Sequence, residues 1–178
     1  MAKVDPKAVA GLPRLNEQKA MHKDKIQKIN PEWVQAVKST INTCPYFKLQ
    51  QMELKDLSWG ESKIEIQLGD RHLQPFGIVH GGVFSTLLDA AGFWAVYSKA
   101  EETVGMTTVE LKINYLAPIV SGVLIGTGHC IKLGRSLGLG DARIENEKGK
   151  LIAHGTTTVM VQPDLSLNDE RRDIPKFL

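Results

Sequence analysis

His80-Gly81-Gly82-Val83-Phe84-Ser85-Thr86-Leu87-Leu88-Asp89-Ala90-Ala91-Gly92-Phe93-Trp94-Ala95-Val96-Tyr97 opens on two glycines and continues as an apolar segment of helical length. A helix apolar on nearly every side is normally enclosed by protein. One carboxylate, Asp89, interrupts it, and an ionised carboxylate in such surroundings is expensive unless something offsets the cost. The start of the helix meanwhile offers unpaired backbone N–H groups and the positive end of the helix dipole. One end can polarise a carbonyl and the middle holds a base, which together outline an acyl-transfer site.

Outward from this helix, the periodicity changes to two. Lys63-Ile64-Glu65-Ile66-Gln67-Leu68 and Val109-Glu110-Leu111-Lys112-Ile113-Asn114-Tyr115 alternate as half-buried strands do. Residues 123–133 and 136–146 are two further apolar-rich strands, and 151–161 is rich in β-branched residues. Glu147-Lys148-Gly149-Lys150 is a turn with glycine where a positive φ is needed. The order is strand, strand, long helix, four strands, and the short connections favour antiparallel pairing. A helix enclosed by a curved antiparallel sheet, an α+β architecture, is the expected fold.

Before the sheet, Asn30-Pro31-Glu32 supplies a cap and a first-turn proline, and Trp33, Val34, Val37 and Ile41 follow at helical spacing. A helix over 31–42 is predicted, ended by Pro45, with strand periodicity from Tyr46 onward. Residues 16–29 suit a polar helix and 1–15 a flexible run. The expected organisation is an N-terminal extension with one or two helices (1–43), a domain (44–162) and a C-terminal surface tail (163–178).

The chain has 178 residues, 42% hydrophobic and 24% charged, with net charge +2. That size suits one domain, and the charge is too small to argue for nucleic acid or an anionic membrane. The longest apolar run is too short to span a bilayer, so no stable membrane association is expected. Cys44 and Cys130 provide no disulfide framework, consistent with a cytoplasmic protein.

Gln74-Pro75-Phe76-Gly77 is a tight turn ahead of the helix. Gly81 and Gly82 either relieve a crowded helix start or let a ligand approach the backbone, with Gly81 N–H holding a carbonyl oxygen on which charge develops. Asp89 is the leading catalytic candidate, as general base or as nucleophile. His80 is better suited to fixing the loop than to acting as a base. His129 and His154 lack the spacing of a helical zinc site, and no metal is expected. Gly134-Arg135-Ser136-Leu137-Gly138-Leu139-Gly140 looks like a phosphate loop, but it lies between strands, whereas nucleotide fingerprints open a helix. Arg135 and Ser136 could still touch a phosphate. Eight residues separate Gly81 from Asp89, roughly 12 Å along a helix. If both serve one carbonyl, they come from different copies of the chain, which implies a symmetric dimer.

The combination of Gln74-Pro75-Phe76-Gly77-Ile78-Val79-His80-Gly81-Gly82, then Asp89, then the run from Thr107 to Pro118 resembles the hotdog-fold acyl-CoA thioesterases of the PaaI and 4-hydroxybenzoyl-CoA types, over residues 45–162. The resemblance implies a hotdog fold, homodimers that often pair into homotetramers, and metal-independent hydrolysis of acyl-CoA without a cofactor. Asp89 matches the family's catalytic carboxylate, Gly81 the backbone donor to the thioester carbonyl, Gln74 an orienting amide and Thr108 a hydroxyl of PaaI-like members. His80 and Gly82 belong to the same substrate-binding segment, and Arg135 and Ser136 match a loop that contacts CoA in some members. Phe93 departs from the pattern, standing where the glutamate-using branch has a threonine. A hotdog hydratase or dehydratase and a non-catalytic acyl-CoA sensor are the alternatives.

Overall fold

The computed structural model describes residues 27–167 and 174–178. Helix α1 (Pro31–Thr43) and the short α2 (Pro45–Leu49) lead into β1 (Met52–Ser58) and β2 (Glu61–Gln67). Helix α3 (Gly81–Ser98) follows, and then β3 (Gly105–Tyr115), β4 (Val123–Leu133), β5 (Leu137–Asn146) and β6 (Leu151–Gln162). The strands form one antiparallel sheet in the order β1-β2-β4-β5-β6-β3, curved around α3. The expected architecture is therefore observed, with β3 at one edge of the sheet.

Why α3 lies so close to the sheet is written in the strands beneath it. A Cβ on Gly128 of β4 would fall 2.0 Å from the carbonyl oxygen of Ala91, and one on Gly140 of β5 2.8 Å from that of Gly92. Glycine at these two positions lets helix backbone rest directly on strand backbone. The Ala91 carbonyl also accepts a hydrogen bond from the Ser62 hydroxyl at 2.6 Å. Leu87, Leu88, Ala91, Ala95 and Val96 are completely buried along the helix. The glycines of the suspected phosphate loop thus serve packing and a β4–β5 hairpin, in which Gly134 N–H donates to Leu137 O.

Three local expectations are corrected. Strand periodicity does not begin at Tyr46: Pro45 starts α2, whose Phe47 packs into the core. Val109 does not belong to the inward face of β3, because a bulge between Thr108 and Glu110 makes it the extra residue, 52% exposed. That one-residue insertion brings Met106 and Thr108 onto the same face as Leu111 and Tyr115, despite their opposite parity. Residues 27–29, expected to end a polar helix, are not helical, and Ile29 is bridged to Phe177. The flexible run 1–15 and the rest of that helix lie outside the described residues.

Residues 174–178 of the expected surface tail are likewise docked on the fold, whereas residues 163–166 are exposed. Asn30 N–H donates to Lys176 O at 2.8 Å, and Leu178 N–H to Lys28 O at 3.0 Å. These bonds draw Lys176 to complete burial. Its Nζ donates to the carbonyls of Tyr97 and Ala100, 2.7 Å each, just where α3 ends. The Tyr97 and Trp33 rings lie beneath the ammonium, 4.4 and 4.9 Å from it to their centroids. A cation there answers both the orphan carbonyls and the negative end of the dipole. Lys176→Met keeps the volume and removes the charge, and should cost roughly 1.5–3 kcal/mol in urea unfolding, the range for a hydrogen bond to a charged group. An unchanged midpoint would show that the ammonium does not hold the end of the helix.

Candidate active site

Helix α3 is buried except along one stripe. Gly81, Ser85, Thr86, Asp89, Ala90 and Phe93 are half-buried, and they recur at three- to four-residue spacing. The stripe faces the inward side of β3, and between them opens a cleft of ≈ 520 Å³. Its apolar wall includes Phe47, Met52, Phe93, Trp94, Met106 and Leu111, while Ser85, Thr86, Asp89 and Thr108 supply polar groups. Such a mixture, a mostly apolar concavity with a few convergent polar atoms, is the usual form of a small-molecule site.

Asp89 is the titratable group at its centre. The Thr108 hydroxyl donates to Asp89 Oδ1 at 3.0 Å. Burial pushes the carboxyl above its ordinary range, and the Thr108 bond, which favours the charged form, pulls partly in the opposite direction. The register explains the pairing, since the bulge at Val109 turns Thr108 toward the helix.

The start of α3 is built separately. His80 is the N-cap, and its Nδ1 accepts from Gly82 N–H at 2.8 Å. This is the loop-fixing role expected of His80, and it occupies the Gly82 donor. Gly81 N–H has no acceptor among the described residues. Tyr115 packs over this end. A Cβ on Gly81 would lie 3.2 Å from its ring, and its hydroxyl is 2.9 Å from that of Ser85. The preceding loop hangs from His72, which is buried. Its Nδ1 accepts from Gly69 N–H, its Nε2 meets Gln50 O at 3.0 Å, and its carbonyl accepts from His80 N–H.

Gln74 closes the expected turn, in which Gly77 N–H donates to Gln74 O and the side-chain oxygen accepts from Phe76 N–H at 3.0 Å. Arg135 and Ser136 sit on the β4–β5 hairpin, and Arg135 borders a second cavity of ≈ 440 Å³. Within one chain, then, Asp89 and Thr108 are brought together, while Gln74, His80, Gly81, Gly82, Arg135 and Ser136 lie outside the cleft lining. Sequence reasoning missed Ser85, one turn from both Gly81 and Asp89, although helical spacing carries that signal. It also missed Tyr46, whose hydroxyl meets that of Thr86 at 2.7 Å, and no local pattern marks that contact.

Comparisons with known proteins agree with this architecture. The thioesterase superfamily model matches residues 76–153. The chain is 30% identical over 96 residues to acyl-coenzyme A thioesterase 13 of Mus musculus, covering 53% of this chain and 68% of that protein. It is 34% identical over 102 residues to a putative esterase of Caenorhabditis elegans, covering 56% of this chain and 60% of that one. A thioesterase family protein from Silicibacter pomeroyi superposes with a TM-score of 0.66 at 28% identity, covering 72% of this chain and 96% of that structure. The chain belongs to the thioesterase superfamily and has its hotdog fold. It is a hydrolase of thioesters.

The raised Asp89 carboxyl has a consequence for stability. A group whose folded pKa exceeds its unfolded value favours the native state most when protonated, and that contribution is lost as pH rises through the folded pKa. Asp89→Asn should therefore melt higher than the native protein at pH 8, and the difference should close toward acid pH. A melting difference independent of pH would contradict the desolvated carboxylate.

Proposed function

We propose that this protein hydrolyses acyl-CoA thioesters to the free acid and CoA at a site shared by two copies of the chain. The observation that carries this reading is the Thr108–Asp89 pair, set in an apolar cleft on the one open stripe of an otherwise enclosed helix. The similarity to an acyl-coenzyme A thioesterase supports CoA as the leaving group. Metal-independent chemistry and a cytoplasmic location are part of the same proposal.

Gly81 N–H of one protomer, at the positive end of α3, donates to the thioester carbonyl and steadies the charge that develops on its oxygen. The partner's Asp89 drives the attack. As general base it takes a proton from water while the hydroxyl adds to the acyl carbon. As nucleophile it forms a mixed anhydride that water then opens. In both routes the carbon–sulfur bond breaks and CoA leaves as thiolate. Gln74 retains its amide N–H₂ to orient the carbonyl or the water, and His80 and Gly82 shape the backbone around it. Arg135 and Ser136, exposed on their hairpin and outside the cleft of their own chain, would serve CoA phosphates bound at the partner's cleft.

Two features support the dimer. Strand β3 is an edge whose backbone is open to pairing, and exposed edges of this length are normally covered. Along it Val109 and Tyr115 are more than half exposed. A second β3 laid antiparallel would cover the edge and bring the helix start of one copy toward Asp89 of the other.

Asp89→Ala should lower turnover of an accepted acyl-CoA by roughly 10²–10⁴, the span of a positioned base. The acid limb of kcat/KM should lie above the ordinary carboxylate range, because burial raises that group. Thr108→Val, which removes the bond favouring the anion, should move the limb further up. Wild-type turnover in purified Asp89→Ala, measured by thiol release, would overturn the assignment.

A further inference from the structure

Met106 lines both cavities. It is 5% exposed, near the start of β3, with the acyl cleft on one side and the ≈ 440 Å³ cavity on the other. The second cavity is walled by Ala100, Val104, Leu133 and Val161, whose side chains offer no hydrogen-bonding group. Lys99, Glu101 and Arg135 also line it, Glu101 and Arg135 being exposed to solvent. Met106 is the one described residue that the two linings share, and in register it stands opposite Val161 near the end of the β3–β6 ladder.

We propose that Met106 is a gate on acyl-chain length, and that the cavity behind it receives the distal methylenes of a long, unbranched acyl group. The inference rests on the acyl-CoA reading of the first cleft and deepens it by naming the substrate class. The polar atoms of the first cleft, Ser85, Asp89 and Thr108, lie where the thioester carbon must be, and Met106 is part of the apolar wall beyond them. A short acyl group ends against Met106. A longer one needs room, and methionine is the apolar side chain best suited to provide it: unbranched, with three rotatable bonds and a polarisable sulfur that tolerates changed contacts. Swinging the thioether aside joins the two cavities without moving backbone. An alkyl tail is the occupant that Ala100, Val104, Leu133 and Val161 fit, since a polar tail laid against those side chains would lose its water and gain no partner from them. Phenylalanine at this position, rigid beyond two torsions, could not vacate the partition in the same way.

The test uses two readouts on the full chain, so that the gate and the hydrolase reading can fail separately. The first is equilibrium binding of non-hydrolysable S-alkyl-CoA thioethers, from butyl to hexadecyl. The second is thiol release from the matching acyl-CoAs. For the native protein, affinity should keep rising by up to roughly fourfold per methylene buried, past the length that fills the first cleft. Met106→Phe should flatten the rise beyond that length, and Met106→Ala should steepen it, each changing the hexadecyl-to-butyl affinity ratio by about tenfold or more. The volume-conserving Met106→Leu serves if the alanine variant does not fold, and should give an intermediate ratio. A native-like dependence on chain length in Met106→Phe overturns the gate, even with thiol release intact. If the length dependence responds as stated but no acyl-CoA is cleaved, the gate stands and the hydrolase reading falls.

Discussion

Everything in this fold depends on how closely α3 can approach β4 and β5. Because Gly128 and Gly140 present no side chain, the carbonyls of Ala91 and Gly92 come down onto the strands. The sheet can then wrap the helix and bury most of its circumference. What remains is a narrow stripe, and the polar residues of the helix middle, Ser85, Thr86 and Asp89, all lie on it. The same packing that stabilises the core therefore decides where the carboxylate emerges. A methyl group at Gly128 would lift the helix and misplace the site together.

Around that contact the ends of α3 are held by unrelated means. At its start, His80 takes the Gly82 donor and leaves the Gly81 donor over. At its finish, Lys176 returns from the C-terminus to meet the last carbonyls. Ser98 adds a third tie, its hydroxyl accepting from Gly60 N–H at 2.7 Å in the β1–β2 turn. The helix is thereby fixed along its length, which suits a site whose reacting groups lie on its backbone start and on its middle. The cleft is bounded on one side by rigid helix, and on the other by an edge strand with a bulge that aims Thr108.

Much of this was legible in the sequence, for reasons that can be named. Helix α3 and the helix from Pro31 declare themselves through long periodic runs and first-turn signals. The turn at Gly149 is marked by its glycine, which has φ +74°. Asp89 stood out because charge inside an apolar helix demands a purpose. What the sequence hid depends on contacts between distant segments. The bulge at Val109 is invisible to an alternation rule that it merely shifts by one. Lys176 in a charged, proline-containing tail gives no sign that it will be buried against Trp33 and Tyr97. Tyr115 over Gly81 and Tyr46 on Thr86 are meetings across 34 and 40 positions, set by sheet register and by the placement of α2. The glycines of 134–140 lie between two strands as expected, but their packing role appears only once the helix is laid upon them.

The claim on which the functional account turns is that one thioester is served by Gly81 of one copy and Asp89 of another. Gly81→Pro removes the N–H at the first helical position, where proline is tolerated, and Gly81→Ala, which meets Tyr115 in the same way but keeps the N–H, is its control. His80, at φ −66° and ψ 137°, already has the extended backbone that a following proline requires. Mixing Gly81→Pro chains with Asp89→Ala chains, each nearly inactive alone, should restore a sizeable fraction of native thiol release, since each heterodimer keeps one intact site. Verified subunit exchange with no recovery of activity would contradict a site built from two protomers.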